Sequence, residues 1–276
     1  MKTLQFIVII VLMSTLPGCR KNNPDSANAN QSSIQTSEEA SGVKWLESDL
    51  KDGISNSLIS GPLRSHINPQ AFVANVTNNY FPLVPGDTFF YRNTIKDDEG
   101  TTVEDITVAV THQKKVILGV ICTVVHDFVK DHTTHELLED TYDYYAQDRS
   151  GNVWYFGEDT KSYEDGSVST EGSFIAGVDG ARPGIIMPHN PHYHHPYRQE
   201  YYVGHAEDQG VNLSLKNTVK IAYGTFYNCL KTAEFTVLEP GVIENKWYAP
   251  GIGLIQANVS IGGDEHEELV HISHGN

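Results

Sequence analysis

A repeated alternation of apolar and polar residues is the feature that most constrains the fold. Ile106, Val108 and Val110 are separated by polar or small residues, and this period of two is typical of a strand with one buried face. Such segments recur from Tyr80 onward at a spacing of roughly 8–12 residues, with turn sequences such as DRSGN at Asp148 between them. We therefore predict a mainly β chain whose antiparallel curved sheet forms a sandwich or half-open barrel, with a short N-terminal helical or extended segment.

The same pattern places individual strands. Apolar residues from Val116 to Phe128 recur on one face and predict a single long strand, and the polar residues 130–134 after it predict a hairpin turn. Further strands are predicted near residues 198–202, 218–222, 229–238, 243–248, 253–261 and 267–272.

The N-terminus carries an export signal. Lys2 is followed by an apolar run from Leu4 to Leu16 that is too short to span a membrane comfortably. The run ends in the sequence LPGC at Cys19, which resembles the lipobox of bacterial lipoproteins. We predict that residues 1–18 are a lipoprotein signal peptide and that Cys19 carries a diacylglycerol. An ordinary secretory peptide or an uncleaved anchor is the alternative.

This signal fixes a predicted domain organisation. Residues 19–42 are polar and form a flexible tether, residues 43–79 are an N-terminal extension, and residues 80–276 are the β-rich globular domain. The predicted location is the cell envelope, outside the cytoplasm. Arg20 stands where an Asp would retain a lipoprotein at the inner membrane, which favours the outer membrane in a cell with two.

Net charge excludes one class of partner. The chain has 19 basic and 35 acidic residues, a formal net charge of -16, whereas nucleic-acid binding needs clustered Lys and Arg. We predict no nucleic-acid partner, and contact with the membrane through the lipid on Cys19 alone. Nothing in the sequence identifies a protein partner.

Histidines form the sharpest chemical cluster, and neutral imidazoles are common ligands of Zn²⁺, Cu²⁺ and Ni²⁺. A second pair of histidines lies on the predicted hairpin turn, and Glu207 and Asp208 could add carboxylates. No named metal motif is matched, so the alternative is a set of polar loop residues. The candidate metal ligands are His189, His192, His194, His195, His205, His132 and His135.

The cysteines leave two possibilities. With Cys19 lipidated, Cys122 and Cys229 remain as a pair in an oxidising compartment. They form a disulfide or stay as two separate buried thiols, because sequence does not show whether their Cα atoms come within bonding distance.

Adjacent carboxylates and aromatic residues are plentiful but less specific. Neighbours in a strand point to opposite faces, so we interpret the pairs Glu139-Asp140, Glu158-Asp159 and Glu207-Asp208 mostly as solvated edge residues rather than a catalytic pair. The aromatic residues could line a ligand groove, but core packing is the favoured interpretation. They are Tyr142, Tyr144, Tyr145, Trp154, Tyr155 and Phe156.

Several longer motifs resemble a known family. They are YFPLVPG from Tyr80, YDYYAQDRSGNVWYFGEDT from Tyr142, YRQEYY from Tyr197, YGTFYNCLKT from Tyr223 and WYAPGIGL from Trp247. In this order they resemble a family of bacterial exported proteins and lipoproteins with no established activity, over about residues 65–273. The resemblance implies export but no catalytic or binding residue.

The sequence thus favours a membrane-anchored extracytoplasmic lipoprotein that acts as a non-catalytic binding or envelope-associated module. By analogy with lipoproteins of similar build, an apolar small ligand could occupy the concave face of the sheet. A transition-metal-binding protein and a hydrolase with an undeclared carboxylate or metal site are the alternatives.

Overall fold

The structure is a computed structural model that describes residues 67–164, 166–194 and 196–275. Across these residues the chain is nearly all β, and their one helical element is a 3-10 turn at Pro69–Ala71. The strands are β1 (Phe72–Val73), β2 (Val76–Asn78), β3 (Phe81–Leu83), β4 (Thr88–Asp97), β5 (Gly100–Ile117), β6 (Val120–Asp131), β7 (Leu137–Asp148), β8 (Val153–Glu164), β9 (Ser167–Ser169), β10 (Phe174–Ile175), β11 (Arg182–Met187), β12 (Pro196–Arg198), β13 (Glu200–Tyr201), β14 (Asp208–Ile221), β15 (Gly224–Thr236), β16 (Ile243–Ala249), β17 (Gly253–Ile261) and β18 (Glu265–Ser273).

Antiparallel hairpins join most of the strands into one large sheet. Its central order is β14-β15-β16-β17-β18-β4-β5-β6-β7-β8-β11. The pairing of β18 with β4 brings the last strand beside the first long one, with Leu269 opposite Tyr91. A meander whose terminal strands pair in this way curves towards a barrel, and the sheet is indeed nearly closed into one. The prediction of a curved antiparallel sheet is confirmed.

One short segment bridges the two edges of the sheet. Its first half, β12, pairs with β14, and its second half, β13, pairs with β11. Between them the backbone N–H of Gln199 donates to the carbonyl oxygen of Asp208 over 2.8 Å. The segment therefore satisfies backbone groups on both edges, which would otherwise be open to pairing with another chain.

Gly184 on β11 lets this bridge lie close to the sheet. A Cβ at this position would be 2.6 Å from the carbonyl oxygen of Arg198 and would also clash with the Gln199 backbone. We expect Gly184→Ala to destabilise the protein by about 1–3 kcal/mol, because backbone must shift to accept the methyl group. Urea unfolding measures the loss.

Gly224→Ala is the matched control for this substitution. A Cβ there meets only the Phe226 ring at 3.7 Å, an ordinary contact. An equal loss of stability in both variants would contradict the close approach at Gly184.

Both faces of the sheet bury apolar residues. The inner cluster includes Ile106, Val129 and Tyr155. A second cluster, which includes Trp154 and Phe156, lies on the opposite face of β6 to β8, where Phe72 packs against it. The ring centroids of Phe72 and Phe156 are 5.4 Å apart. Part of the outer wall is thus covered by the segment that precedes the barrel.

The predicted long strand from Val116 to Phe128 is wrong. The chain turns at Leu118 and Gly119, whose φ angles are 50° and 79°, so that β5 and β6 form a hairpin with Ile117 opposite Val120. Successive positive φ angles are typical of a tight hairpin turn. Because apolar residues continue through this turn, the sequence pattern did not reveal it. The hairpin predicted at 130–134 and the later strands are observed.

The N-terminal part is described only from Ile67 onward. There β1 pairs with β7, and β2 and β3 form a separate two-stranded sheet. The signal peptide, Cys19, the tether and most of the extension lie outside the described residues, so the domain boundaries stay predictions. Within the described ranges, no helix has the length and apolar character to cross a membrane.

Candidate functional site

Side chains along a strand alternate between its two faces, and this alternation places acidic side chains inside the barrel. On β7, Glu139 lies opposite Val129 of β6, and Val129 belongs to the inner apolar cluster. Residues that pair directly across a ladder point to the same face, so Glu139 faces inward. Thr141 and Asp143 follow at intervals of two and share that face.

The same argument applies to strand after strand around the barrel. Glu104 pairs with Asn93, which pairs with Glu267, and Glu234 pairs with Glu244. We call the full set the acidic belt. It consists of Glu104, Asp127, Glu139, Asp143, Glu158, Glu200, Asp208, Glu234, Glu244, Glu265 and Glu267, and of these only Asp208 and Glu244 are more than slightly exposed.

Lys246 supplies the ion pairs found in the belt among the described residues. Its ammonium lies 2.9 Å from Glu234 and 3.0 Å from Glu244, and the residue is 3% exposed. Burial alone would raise the pKa of Glu234, but the charge of Lys246 and the hydrogen bonds that Glu234 accepts from Lys246 and neighbouring polar side chains together outweigh burial and lower it. One ammonium can neutralise only a small part of the belt.

Neutral donors satisfy some of the remaining carboxyl oxygens. The amide of Asn93 donates to Glu265 over 2.7 Å and to Glu104 over 3.2 Å. The hydroxyl of Tyr155 lies 2.6 Å from Asp143 and 2.9 Å from Glu158. Because one hydroxyl carries one proton, it cannot fully satisfy both carboxylates.

Several carboxyl oxygens inside the barrel lack a hydrogen-bond donor. One carboxyl oxygen in each of five belt residues is buried and has no hydrogen-bond partner among the described residues. A buried acceptor without a partner costs about 1–3 kcal/mol. We therefore expect the belt to take up additional partners for these oxygens, either protons on the carboxyl groups or a bound ligand. The five residues are Asp127, Glu158, Glu200, Glu265 and Glu267.

Burial favours the protonated form of these groups. It raises the pKa of Glu139 and that of Asp143 to about 7. The pKa values of Glu158 and Glu200 are also raised, first by burial and then by repulsion from neighbouring carboxylates. The folded barrel therefore holds protons near neutral pH that a solvated carboxylate would release.

A cavity reaches one side of the belt. It has a volume of about 290 Å³ and lies beside β8, at the point where β10 pairs with it. Apolar, acidic and basic side chains contribute to its wall. The lining residues are Lys115, Glu158, Asp159, Ser173, Phe174, Ile175, Val178, Asp179, Ala181 and Tyr202.

Those histidines of the predicted metal cluster that the structure describes, His189, His192, His194 and His205, lie on exposed loops. Asn212 holds the main chain at two of them: its amide donates to the carbonyl of His192, and its carbonyl accepts from the N–H of His194. A φ of 56° at His194 interrupts the extended segment that would have aligned the two rings. The ring of His205 stacks on Tyr202 at 4.4 Å, and His189 is anchored by its N–H to Asn152.

The two histidines of the second pair have different surroundings. His132 binds Asp105 over 2.7 Å, whereas His135 occupies a turn with a φ of 62°. Throughout the described residues, no group of three or more His, Cys, Asp or Glu side chains is arranged to hold a metal ion. His195 lies outside the described residues, and metal binding stays a prediction.

The possible disulfide is not formed in the structure. Cys122 and Cys229 are free and buried, and they belong to different apolar clusters, on opposite faces of the sheet. Burial raises the pKa of Cys122 to about 12 and that of Cys229 to about 11. This matches the second alternative, two separate thiols.

The interpretation of the adjacent carboxylates as solvated residues is wrong for one member of each pair. Glu139, Glu158 and Glu207 are all buried, and the first two belong to the acidic belt. The sequence contained a sign of this burial. In the run Glu139-x-Thr141-x-Asp143, polar residues share one face of a strand. A comparison with the residues on the opposite face could have shown that the polar face was a candidate for the buried side.

The aromatic residues pack into the core, as predicted. Tyr144, Trp154 and Phe156 belong to the outer cluster. Tyr145 and Tyr155 stack in the inner cluster with ring centroids 4.9 Å apart.

Two solved structures are similar to part of the chain. One is a crystal structure of an inferred exported protein with a YmcC-like fold from Bacteroides fragilis, with 15% identity, a TM-score of 0.44, and coverage of 71% of this chain and 100% of that chain. The other is an inferred lipoprotein from Parabacteroides distasonis, with 11% identity, a TM-score of 0.36, and coverage of 71% and 99%. No family model and no curated protein matches the chain.

Proposed function

We propose that this chain is a lipid-anchored, extracytoplasmic binding module whose ligand site is the acidic belt. The observation that carries the proposal is the set of buried carboxyl oxygens without partners inside the barrel. Natural proteins satisfy nearly all buried polar groups, and clusters of exceptions mark functional sites or missing ligands.

Binding fits the belt better than hydrolysis does. A glycosidase places two carboxyl groups on either side of a cleft that admits a sugar. Most belt residues are instead buried and surround the interior from many strands, with Glu104 1% exposed and Glu139 2% exposed. A ring of acceptors of this kind favours recognition of a cationic ligand.

The sequence supports the location. The lipobox-like LPGC at Cys19 and the polar tether after it would hold the barrel outside the cytoplasm at a membrane surface. Arg20 after the lipidated cysteine favours the outer membrane in a cell with two membranes.

Removal of the anchor residue should release the protein. We expect Cys19→Ala to move the chain from the membrane fraction to the soluble fraction, because each acyl chain contributes about 0.8 kcal/mol per buried CH₂. Fractionation with metabolic labelling by a fatty acid measures both properties. Cys122→Ala is the control and should stay labelled and membrane-bound. An unlabelled wild-type chain would contradict the anchor.

Native mass spectrometry tests the binding site. Protein extracted from its own cell envelope in mild detergent should carry a non-covalent adduct that denaturation removes. The double variant Glu158→Gln/Glu200→Gln should lose the adduct, because amides cannot balance a cationic ligand. The exposed Glu99→Gln variant should keep it. A wild-type protein without any adduct, or an adduct that the double variant retains in full, would contradict the proposal.

A further inference from the structure

The hairpin of β5 and β6 continues past the point where the neighbouring strand β4 begins. The first residue of β4, Thr88, lies opposite Ala109 of β5. Strand β5 nevertheless runs on to Ile117, which lies opposite Val120 of β6. Residues 110–117 of β5 therefore have no partner on β4, and the end of this hairpin stands at the rim of the barrel.

The two faces of this hairpin end differ. One face is fixed to the barrel, because Ile117 and Val120 are buried in the outer cluster. On the other face Val116 lies opposite Ile121, and these two side chains are 66% and 53% exposed. Leu118, at the turn, is 45% exposed. We call Val116, Leu118 and Ile121 the apolar tip, and such a group of exposed aliphatic side chains is typical of an interaction site.

The chain that precedes the barrel reaches it beside the apolar tip. Ile67, the first described residue, packs against the outer cluster. Pro69 lies against the hairpin turn, where a Cβ on Gly119 would be 2.9 Å from the Pro69 Cγ. Residues 19–66, which link the barrel to the predicted lipid on Cys19, therefore join it at this end. An anchor attached here brings the apolar tip, rather than the opposite end of the barrel, towards the membrane.

The charges near the apolar tip are compatible with a lipid surface. The whole chain has a formal net charge of -16, but residues 106–126 contain no Asp or Glu. Entry of the hairpin end into a bilayer would therefore bury no carboxylate, which is the costly case. Lys114 and Lys115 precede the tip, and Asp159 and Asp179 border the same cavity as Lys115. These four residues balance one another, so repulsion from anionic headgroups is weak at this end.

A strand from another protein suits this surface less well. Residues 110–117 have one side that does not face β6, and an added strand could pair there. The β5–β6 ladder, however, shifts register between Val110 and Lys114, and Lys114 is exposed. Lysines and bulges on an edge oppose the addition of a further strand, whereas a lipid surface requires no strand pairing.

We propose that the apolar tip inserts into the lipid bilayer to which the chain is anchored, so that the barrel rests on the membrane by this end. The inference rests on the lipid anchor of the proposed function, and it replaces the prediction that Cys19 is the only membrane contact. Three aliphatic side chains bury little area and bind a bilayer weakly by themselves. The anchor makes the contact intramolecular, and a high effective concentration lets a weak contact persist.

Fluorescence quenching by brominated lipid tests the inference on the full lipidated chain. Val116→Cys is labelled with a thiol-reactive fluorophore, since Cys122 and Cys229 are buried and should not react. The protein is then reconstituted in phosphatidylcholine–phosphatidylglycerol vesicles. Bromine on the acyl chains should reduce the emission at least about twofold, because an inserted apolar side chain reaches the boundary between headgroups and acyl chains.

The matched control is Val168→Cys, a valine that is 59% exposed on β9, which pairs with the far end of β8. Its label should keep its emission in the same vesicles. Addition of Ile121→Asp to the Val116→Cys protein should remove most of the quenching, because a carboxylate resists burial in lipid. Ile121→Cys provides the same measurement if Val116→Cys does not fold.

Equal quenching at the two positions, or no quenching at Val116→Cys, would overturn the inference. So would a tip label that iodide in solution cannot reach in the lipid-free Cys19→Ala protein. In that case the tip is covered by residues 43–66 or, if the protection depends on protein concentration, by a second copy. A fatty-acid-labelled chain with an unquenched tip would refute only the tip contact. A chain without the fatty acid would refute both the anchor and the inference that rests on it.

Discussion

The free energy of unfolding should fall as the pH rises from about 5 to about 9. Burial raises the pKa of Glu139 and of Asp143 to about 7. Burial, with the nearby Glu244 carboxyl, raises the pKa of Glu267 to about 8 and that of Glu265 to about 9. Unfolded carboxyls titrate near about pH 4, so above that pH the folded state binds more protons. The stability that these groups contribute is therefore greatest below their unfolded pKa and is lost as the pH rises through their folded pKa values.

This effect should be large because the groups act in the same direction. Between its unfolded and folded pKa values, each such carboxyl is protonated in the folded state but not in the unfolded state. Over that range it lowers the free energy of unfolding by up to about 1.4 kcal/mol for each pH unit. We expect a total loss of several kcal/mol, measured by urea unfolding and by the melting temperature at a series of pH values. Glu234, whose pKa is lowered, has the opposite dependence, but its contribution is lost only as the pH falls below its unfolded pKa, so it does not offset the loss in this range.

Glutamine substitutions identify which carboxyl groups cause the fall in stability with rising pH. Glu265→Gln/Glu267→Gln removes two of the titrating groups, so the pH slope of stability should become shallower by up to about 1.4 kcal/mol per pH unit for each. Glu99→Gln, on an exposed turn, should leave the slope unchanged. Stability that is flat or rises over this range in the wild type would contradict a protonated belt.

Loss of the buried cation should be the most damaging single substitution. In Lys246→Met the carboxyl of Glu234 stays buried, with hydrogen bonds from Thr232 and Tyr248 but without its ion pair. Removal of one partner of a buried ion pair costs about 3–5 kcal/mol. Urea unfolding at neutral pH measures the loss, which should shrink under acidic conditions as Glu234 takes up a proton.

Two further variants make this prediction specific. Lys246→Met/Glu234→Gln should recover part of the stability, since it removes the buried Glu234 charge and leaves without Lys246 only the more exposed Glu244 carboxylate. Lys96→Met breaks an ion pair with Asp264 in which both side chains are more than half exposed, and it should cost less than about 1 kcal/mol. Equal losses in Lys246→Met and Lys96→Met would show that the Lys246 pair is not buried in solution.

The alternation of apolar and polar residues predicted much of the fold, but it did not predict which face of each strand points into the barrel. On β7 the outward residues include Tyr142 and Tyr144, and the inward ones include Glu139 and Asp143. Hydrophobicity alone would place the tyrosines inside. They are outside because Phe72 and other residues from the segment before the barrel contribute to a second apolar cluster on that wall. Such cover comes from contacts distant in sequence, which a period of two does not reveal.

The histidine cluster illustrates a second limit of sequence pattern. An extended segment would have directed His192 and His194 to one side, but the positive φ at His194 changes the direction of the chain. Backbone angles in a loop depend on its hydrogen bonds, here those to Asn212. The spacing of the histidines therefore did not determine where their rings lie.

Infrared spectroscopy of the carboxyl groups tests the central claim most directly, namely that the barrel interior holds protonated carboxyls at neutral pH. In the wild-type protein at about pH 7, we predict a C=O stretching band of protonated carboxylic acid, which becomes weaker in Glu265→Gln/Glu267→Gln and disappears on titration to strongly alkaline pH. A wild-type spectrum with only carboxylate bands at neutral pH would contradict the account.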